Sequence, residues 1–213
     1  MIHLTPELYL GKGRTRECFF DPRDPTRCIK VDFAARGCRQ TVKEAKYYSK
    51  LARLKPGMDY DFIPRFHGFV ETDRGLGGIF DLVRDEVTHE VSQTLGHYLR
   101  ADAVRTELPK WEAALGRFLD RLMETGVIVR DLNPGNLCAR KRADGTFQLI
   151  AIDGIGHRDF FPLCDYSNRL ARRKLSRQIN KKDMGSIAQI LARIERKESL
   201  KKTPEGALAM VSS

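Results

Sequence analysis

The chain has 213 residues, of which 41% are hydrophobic and 31% charged, and it carries a formal net charge of +10. That length supports one sizeable core or two small lobes, and the composition is that of a folded, water-soluble chain rather than a disordered one. No apolar run reaches the roughly eighteen residues of a membrane-spanning helix, and the stretch Met1–Leu10 lacks a basic region followed by an apolar one, so neither an integral membrane segment nor a secretion signal is expected.

In chain order, the first third alternates between short apolar runs and turn residues. The stretches ELYLGKG, ECFFD and RCIKVDF read as three strands, separated by Gly11–Arg16 and by the turn DPRDPT. A helix follows over about Gln40 to Leu54 with Val42, Ala45, Leu51 and Ala52 as its apolar positions, and Pro56-Gly57 stops it. FHGFVET and LGGIFDLVR read as a second hairpin around Asp73 to Gly75. From residue 105 the period becomes helical. Trp111, Leu115, Phe118, Leu119, Leu122 and Met123 share one face, and Gly126 stands where a left-handed cap is wanted. A short hairpin comes next, then two basic helices ending near Leu200, the second with Met184, Ile187, Ile190, Leu191 and Ile194 on its apolar side, then a frayed tail. The expected class is α+β: a sheet-rich lobe over 1–84, a linker over 85–105, and a shortened helical lobe over 106–213.

Chemistry concentrates around the short hairpin that follows Gly126. VRDLNPGNL holds Asp131 and Asn136 five residues apart around a Pro-Gly turn. LCAR and FQLIAI then alternate as strands about Asp144-Gly145, the favoured two-residue hairpin turn. Such a turn pairs residues whose numbers sum to 289. It would set Asn136 opposite Asp153 with β-carbons about 5 Å apart. An amide oxygen and two carboxylates converging there suit a hard cation such as Mg²⁺, which takes few protein ligands when phosphates supply the rest.

Asp131 through Asn136, followed by LIAIDG, is similar to the catalytic loop and metal-binding segment of protein-kinase-like enzymes, where an Asp-x4-Asn run precedes a hairpin ending in Asp-Gly. More narrowly, RCIKV, KEAKYYSKL, IPRFHGFVETDRG, NPGNLCA and IDGIGHRDFFPL resemble the bacterial YrbL family, linked by name to the PhoP regulatory network. The likeness runs from about Leu10 to Leu191. It implies a two-lobed protein-kinase-like fold, cytoplasmic, with ATP and Mg²⁺ as cofactors. By matching positions, Asp131 would be the catalytic base and Asn136 and Asp153 the metal ligands. Lys30, mid-strand in CIKV, would touch the α- and β-phosphates and pair with Glu44 on the following helix. Gly11 and Gly13 would form the phosphate turn, with Arg14 or Arg16 adding contacts; Arg16 stands at the third glycine of the kinase pattern.

Three further departures bear on mechanism. Val129 replaces the usual histidine, Asn133 replaces the lysine that helps neutralise the transferred phosphoryl group, and no Ala-Pro-Glu signature follows Asp153-Gly154. The resemblance therefore implies a phosphotransferase with an undefined hydroxyl acceptor, or a nucleotide-binding pseudokinase that reports through a regulatory protein partner. The stretch DYSNRLARRKLSRQINKKD carries seven Lys or Arg and two Asp. Arg172, Arg173, Lys174, Lys181 and Lys182 could meet an anionic surface or simply face water. Nucleic acid is the weakest partner, because no aromatic residues interleave with these charges. The five cysteines, Cys18, Cys28, Cys38, Cys138 and Cys164, are odd in number and form no CxxC pair; free thiols and no metal cage are expected.

Overall fold

A computed structural model describes residues 1–33, 37–101, 103–156 and 167–202. Its first part is a five-stranded antiparallel sheet of order β1-β2-β3-β5-β4. The strands are β1 (Tyr9–Lys12), β2 (Arg16–Phe20), β3 (Arg27–Asp32), β4 (Phe66–Thr72) and β5 (Gly75–Asp81), with helix α1 (Arg39–Leu54) between β3 and β4. Pro6–Leu8 forms a 3-10 turn instead of extending β1, since proline fixes φ and donates nothing to a ladder. The alternation of β2 and β3 sends Phe19, Ile29 and Val31 to one face, where they pack with Leu4 and Ile79. The opposite face carries Cys18, Cys28 and Lys30. Because β3 is central, Lys30 lies between Cys18 and Gly78 in register, away from any sheet edge.

The remainder is mostly helical: α2 (Leu95–Arg100), α3 (Ala103–Thr106), α4 (Leu108–Thr125), the hairpin β6 (Leu137–Lys141) and β7 (Phe147–Ala151), α5 (Asn168–Lys181) and α6 (Ile187–Lys202). Sheet with one helix, then helices around a two-stranded hairpin, is the α+β order expected. The helix α4 ends as its sequence foretells, with Gly126 at φ 66° and its amide bonded to the Leu122 carbonyl. The stretch expected as a linker is well built: Thr94 caps α2, and Leu95 and Leu99 lie in the main core with Trp111, Leu115 and Phe118. No helix among the described residues is long and apolar enough to cross a membrane.

Two local expectations are corrected. Along α1 the buried residues are Thr41, Glu44, Ala45, Tyr47 and Leu51, while Ala52 is exposed. Tyr47 and Leu51 join the core of the helical part, so α1 is packed from two sides and buries a polar stripe as well as an apolar one. The hairpin turn also differs. Arg142 donates its amide to the Thr146 carbonyl, Gly145 donates to the Arg142 carbonyl, and only Gly145 of the turn adopts positive φ, at 76°. A two-residue turn of the favoured type needs positive φ at Asp144 too; Asp144 instead accepts from the Thr146 amide and hydroxyl. The result is a three-residue loop with a glycine bulge, and strand partners sum to 288, as in Leu137–Ala151. That slip by one turns Asp153 away from direct opposition. Asn136 pairs with Ile152, whose amide donates to the Asn136 carbonyl. Residues 157–166, which hold Cys164 and the end of IDGIGHRDFFPL, and the tail from 203 lie outside the described residues.

Candidate active site

The cleft is assembled by contacts that tie α1 to both halves of the chain. Asp32, at the end of β3, accepts from the Gln40 and Thr41 amides and from the Thr41 hydroxyl. These bonds satisfy amides at the start of a helix whose own cap, Cys38, supplies no side-chain bond. On the same helix the Tyr47 hydroxyl accepts from the buried Ile128 amide at 3.0 Å, and Glu44 accepts from the Ile155 amide at 3.3 Å. Val129 and Ile155 form a short antiparallel bridge, so the strand entering the Asp131 loop and the strand leaving Asp153 lie side by side. Gly154, at φ 74°, passes directly behind Asp131: a β-carbon there would sit 3.0 Å from the Asp131 amide nitrogen.

Between the sheet and these loops lies a cleft of about 380 Å³, lined by Gly11, Gly13, Arg16, Lys30, Asn136 and Asp153, with Val83, Cys28 and Cys138 at its apolar end. A volume of this size is that of a small-ligand site. Burial pushes the Cys138 thiol up to about 12, so it behaves there as a small apolar group. A larger groove of about 600 Å³ beside α4 and β7 contains none of the candidate residues.

Lys30, 8% exposed, donates to the Ile152 carbonyl and stands 4.5 Å from the Phe80 ring centroid. Its expected ion pair with Glu44 is not formed. Arg16 takes that place, its guanidinium bridging Glu44 and Asp153. The planar five-donor fork of arginine serves two carboxylates at once, while the Lys30 ammonium is directed to the Ile152 carbonyl. Arg16 and Glu44 are 5% and 1% exposed. Burial opposes the charge on Arg16, but Glu44 and Asp153 more than offset it and hold the guanidinium firmly protonated. Burial likewise raises Asp153, while Arg16, Lys30 and the Gly154 amide lower it, and the net direction is below the ordinary value. Arg14, by contrast, is exposed and lines no part of the cleft.

Asp131 sits at the mouth. Asn136 donates through Nδ2 to the Asp131 carbonyl at 2.9 Å and to its Oδ2 at 3.2 Å. The other oxygen, Oδ1, accepts from Lys182 at 2.8 Å. Partial burial raises this carboxyl, but Lys182, Asn133 and Asn136 outweigh it and keep it ionised below the usual range. Asp153 and Asn136 bring hard oxygen atoms to one cleft, and no group of three or more His, Cys, Asp or Glu among the described residues forms a metal cage. An amide and a carboxylate oxygen are donors of the kind a hard cation such as Mg²⁺ takes.

Arg16, Asp32, Tyr47 and Lys182 are the residues that sequence reasoning passed over or misassigned. Arg16 was visible as the substitution in the glycine turn; the others carry no local signal. Of the basic stretch, Lys182 is turned onto Asp131 and Arg172 donates to the Met123 carbonyl, while Arg173 and Lys181 remain exposed.

A family model described as PhoP regulatory network protein YrbL matches residues 2–201. Two curated relatives named Uncharacterized protein YrbL, from Escherichia coli strain K12 and from Shigella flexneri, are 31% identical over 180 residues, covering 83% of this chain and 84% of the relative. Among solved structures, the Mycobacterium tuberculosis PknI kinase domain is similar at 22% identity and a TM-score of 0.45, over 72% of this chain and 60% of that one.

Proposed function

The chain belongs to the family of PhoP regulatory network protein YrbL, and from that premise and the geometry of the cleft we propose that it is an ATP- and Mg²⁺-dependent phosphotransferase acting on a hydroxyl acceptor. One observation carries the reading: Lys30, Asn136 and Asp153 line a single cleft with the glycine turn, and Asp131 is hydrogen-bonded to Asn136 at its edge. In this reading Gly11 and Gly13 let backbone approach the phosphates, and Lys30 contacts them with its ammonium. The apolar end, with Val83 and Cys138, takes the base. Asp153 and Asn136 would hold the Mg²⁺, which supplies charge neutralisation at the phosphates when bound. Asp131 orients the acceptor hydroxyl and receives its proton. Kept ionised by its partners, it acts mainly by position.

A second reading has one observation in its favour. Arg16 already occupies Asp153 and Glu44, an arrangement suited to a pseudokinase that binds nucleotide and signals through a regulatory partner without transfer. A single experiment separates the two. The purified chain is incubated with ATP and Mg²⁺, and both thermal stabilisation and ADP release or autophosphorylation are followed. The phosphotransferase reading expects both, with turnover lost in Asp131→Ala while stabilisation survives, and stabilisation lost in Lys30→Met. Stabilisation without turnover supports the pseudokinase. Neither response removes both readings.

A further inference from the structure

The helix α5 is docked on the Asp131 loop by one face. Gln178 donates through Nε2 to the Val129 carbonyl at 2.6 Å and to the Arg130 carbonyl at 3.0 Å, the two residues that lead into Asp131. One turn further along the same face, four residues on, Lys182 reaches Asp131 itself. Its backbone is fixed: the Lys182 amide donates to the Gln178 and Ile179 carbonyls, its carbonyl accepts from Arg193, and Asp183 beyond it turns the chain at φ 50° and pairs with Arg196. A lysine with a free end on a basic surface would need none of this.

Stability does not account for the placement. Lys182 and Asp131 are 30% and 40% exposed, and an ion pair so open to water contributes at most about 1 kcal/mol. What the pair does is hold an ammonium at the mouth of the cleft, one residue removed from Asn136. The loop offers no cation of its own: between Asp131 and Asn136 stand Leu132, Asn133, Pro134 and Gly135. Asn133 is spent on the turn, accepting from the Gly135 amide and donating to the Asp131 carbonyl.

We propose that Lys182 is a phosphate-binding residue of this site, its ammonium contacting the terminal phosphoryl group as that group passes to the acceptor beside Asp131. The inference rests on the phosphotransfer reading above. In the transfer, the bond between the γ-phosphorus and the β,γ-bridging oxygen breaks and leaves its electron pair on the diphosphate. A bond from the acceptor oxygen to the γ-phosphorus forms, and the acceptor proton goes to the Asp131 carboxylate. Negative charge thus moves past Asp131, where Lys182 supplies the opposite sign from a different element of the chain.

The test compares triphosphate with diphosphate. Affinities of the full chain for ATP and ADP, each with Mg²⁺, are measured by calorimetry for the wild type, Lys182→Met and Lys182→Arg. Losing one charge-assisted contact at a half-exposed position should weaken ATP about tenfold in Lys182→Met, with ADP unchanged and Lys182→Arg close to wild type. A merely structural pair would lower both affinities together, and an inhibitory cap would leave ATP binding equal or tighter; either result overturns the proposal. A wild type that binds ADP and ATP, with the ratio unmoved in Lys182→Met, sinks the role of Lys182 alone. A wild type that binds neither removes the parent reading, and this one with it.

Discussion

Arg16→Met tests the arrangement on which the cleft depends. The substitution keeps an apolar stem of similar length and removes the cation between Glu44 and Asp153. The two arms differ in weight. Glu44 is 1% exposed, and breaking a buried pair by deleting one partner costs about 3–5 kcal/mol, because the remaining charge is left uncompensated. Asp153 is 34% exposed, so its arm is screened by water and adds only some tenths of a kcal/mol. The sum is about 4 kcal/mol, a large part of the 5–15 kcal/mol typical of a whole domain. For a chain of this size it corresponds to a fall in Tm of about 10 °C. Urea unfolding followed by circular dichroism at pH 7, without nucleotide, measures it. The double variant Arg16→Met/Glu44→Gln should recover a good part of the loss, since a neutral amide needs no counter-charge, and a double-mutant cycle then isolates the coupling. Arg16→Met within about 1 kcal/mol of wild type, or a coupling near zero, would refute the reasoning: Glu44 would then be satisfied by the Ile155 amide and water, and Arg16 would be incidental to the site.

Two further outcomes follow from the same geometry. Gly154→Ala imposes a side chain at φ 74° and sets its β-carbon 3.1 Å from that of Asp131; strain and overpacking together should lower the stability by about 2–4 kcal/mol, and an unchanged urea midpoint would show that the two loops are not in contact. The pH dependence has a definite sign. Asp153 and Asp131 titrate below the ordinary aspartate value of 3.8 in the folded chain, so the stability they add is present above that value and disappears as pH falls through the lower folded values. The midpoint should therefore stay flat from neutral pH down to about pH 5 and drop at more acid pH. Asp153→Asn should shallow that acid limb; an acid limb identical to wild type would place the titrating groups elsewhere.

Much of the architecture was legible because its signals are local. The alternation in RCIKVDF, the helical period from Trp111 to Met123 and the cap at Gly126 all report contacts within a few residues, which side-chain direction and backbone dihedrals dictate directly. Of the expected set, Lys30, Asn136 and Asp153 line one cleft and Asp131 is bonded to Asn136 at its edge, while Glu44 is buried against Arg16. What went wrong was pairing. Whether Glu44 meets Lys30 or Arg16 depends on which cation the packed elements bring to it, and Arg16 is 28 residues away from Glu44 and 137 from Asp153.

The sequence by itself carried most of the strands and helices, because propensity and periodicity act over one or two turns of chain, but not the 3-10 turn at Pro6–Leu8 or helix α2 inside the stretch read as a linker. Only the tertiary structure decided the hairpin register, in which one left-handed glycine in place of two positive-φ residues slides Asn136 from Asp153 to Ile152. It also decided that Arg16 holds Glu44 and that Lys182, 51 residues beyond Asp131, reaches back to it. Long-range ion pairs are chosen by how packed elements bring charges into range, and no stretch of neighbouring residues encodes that distance.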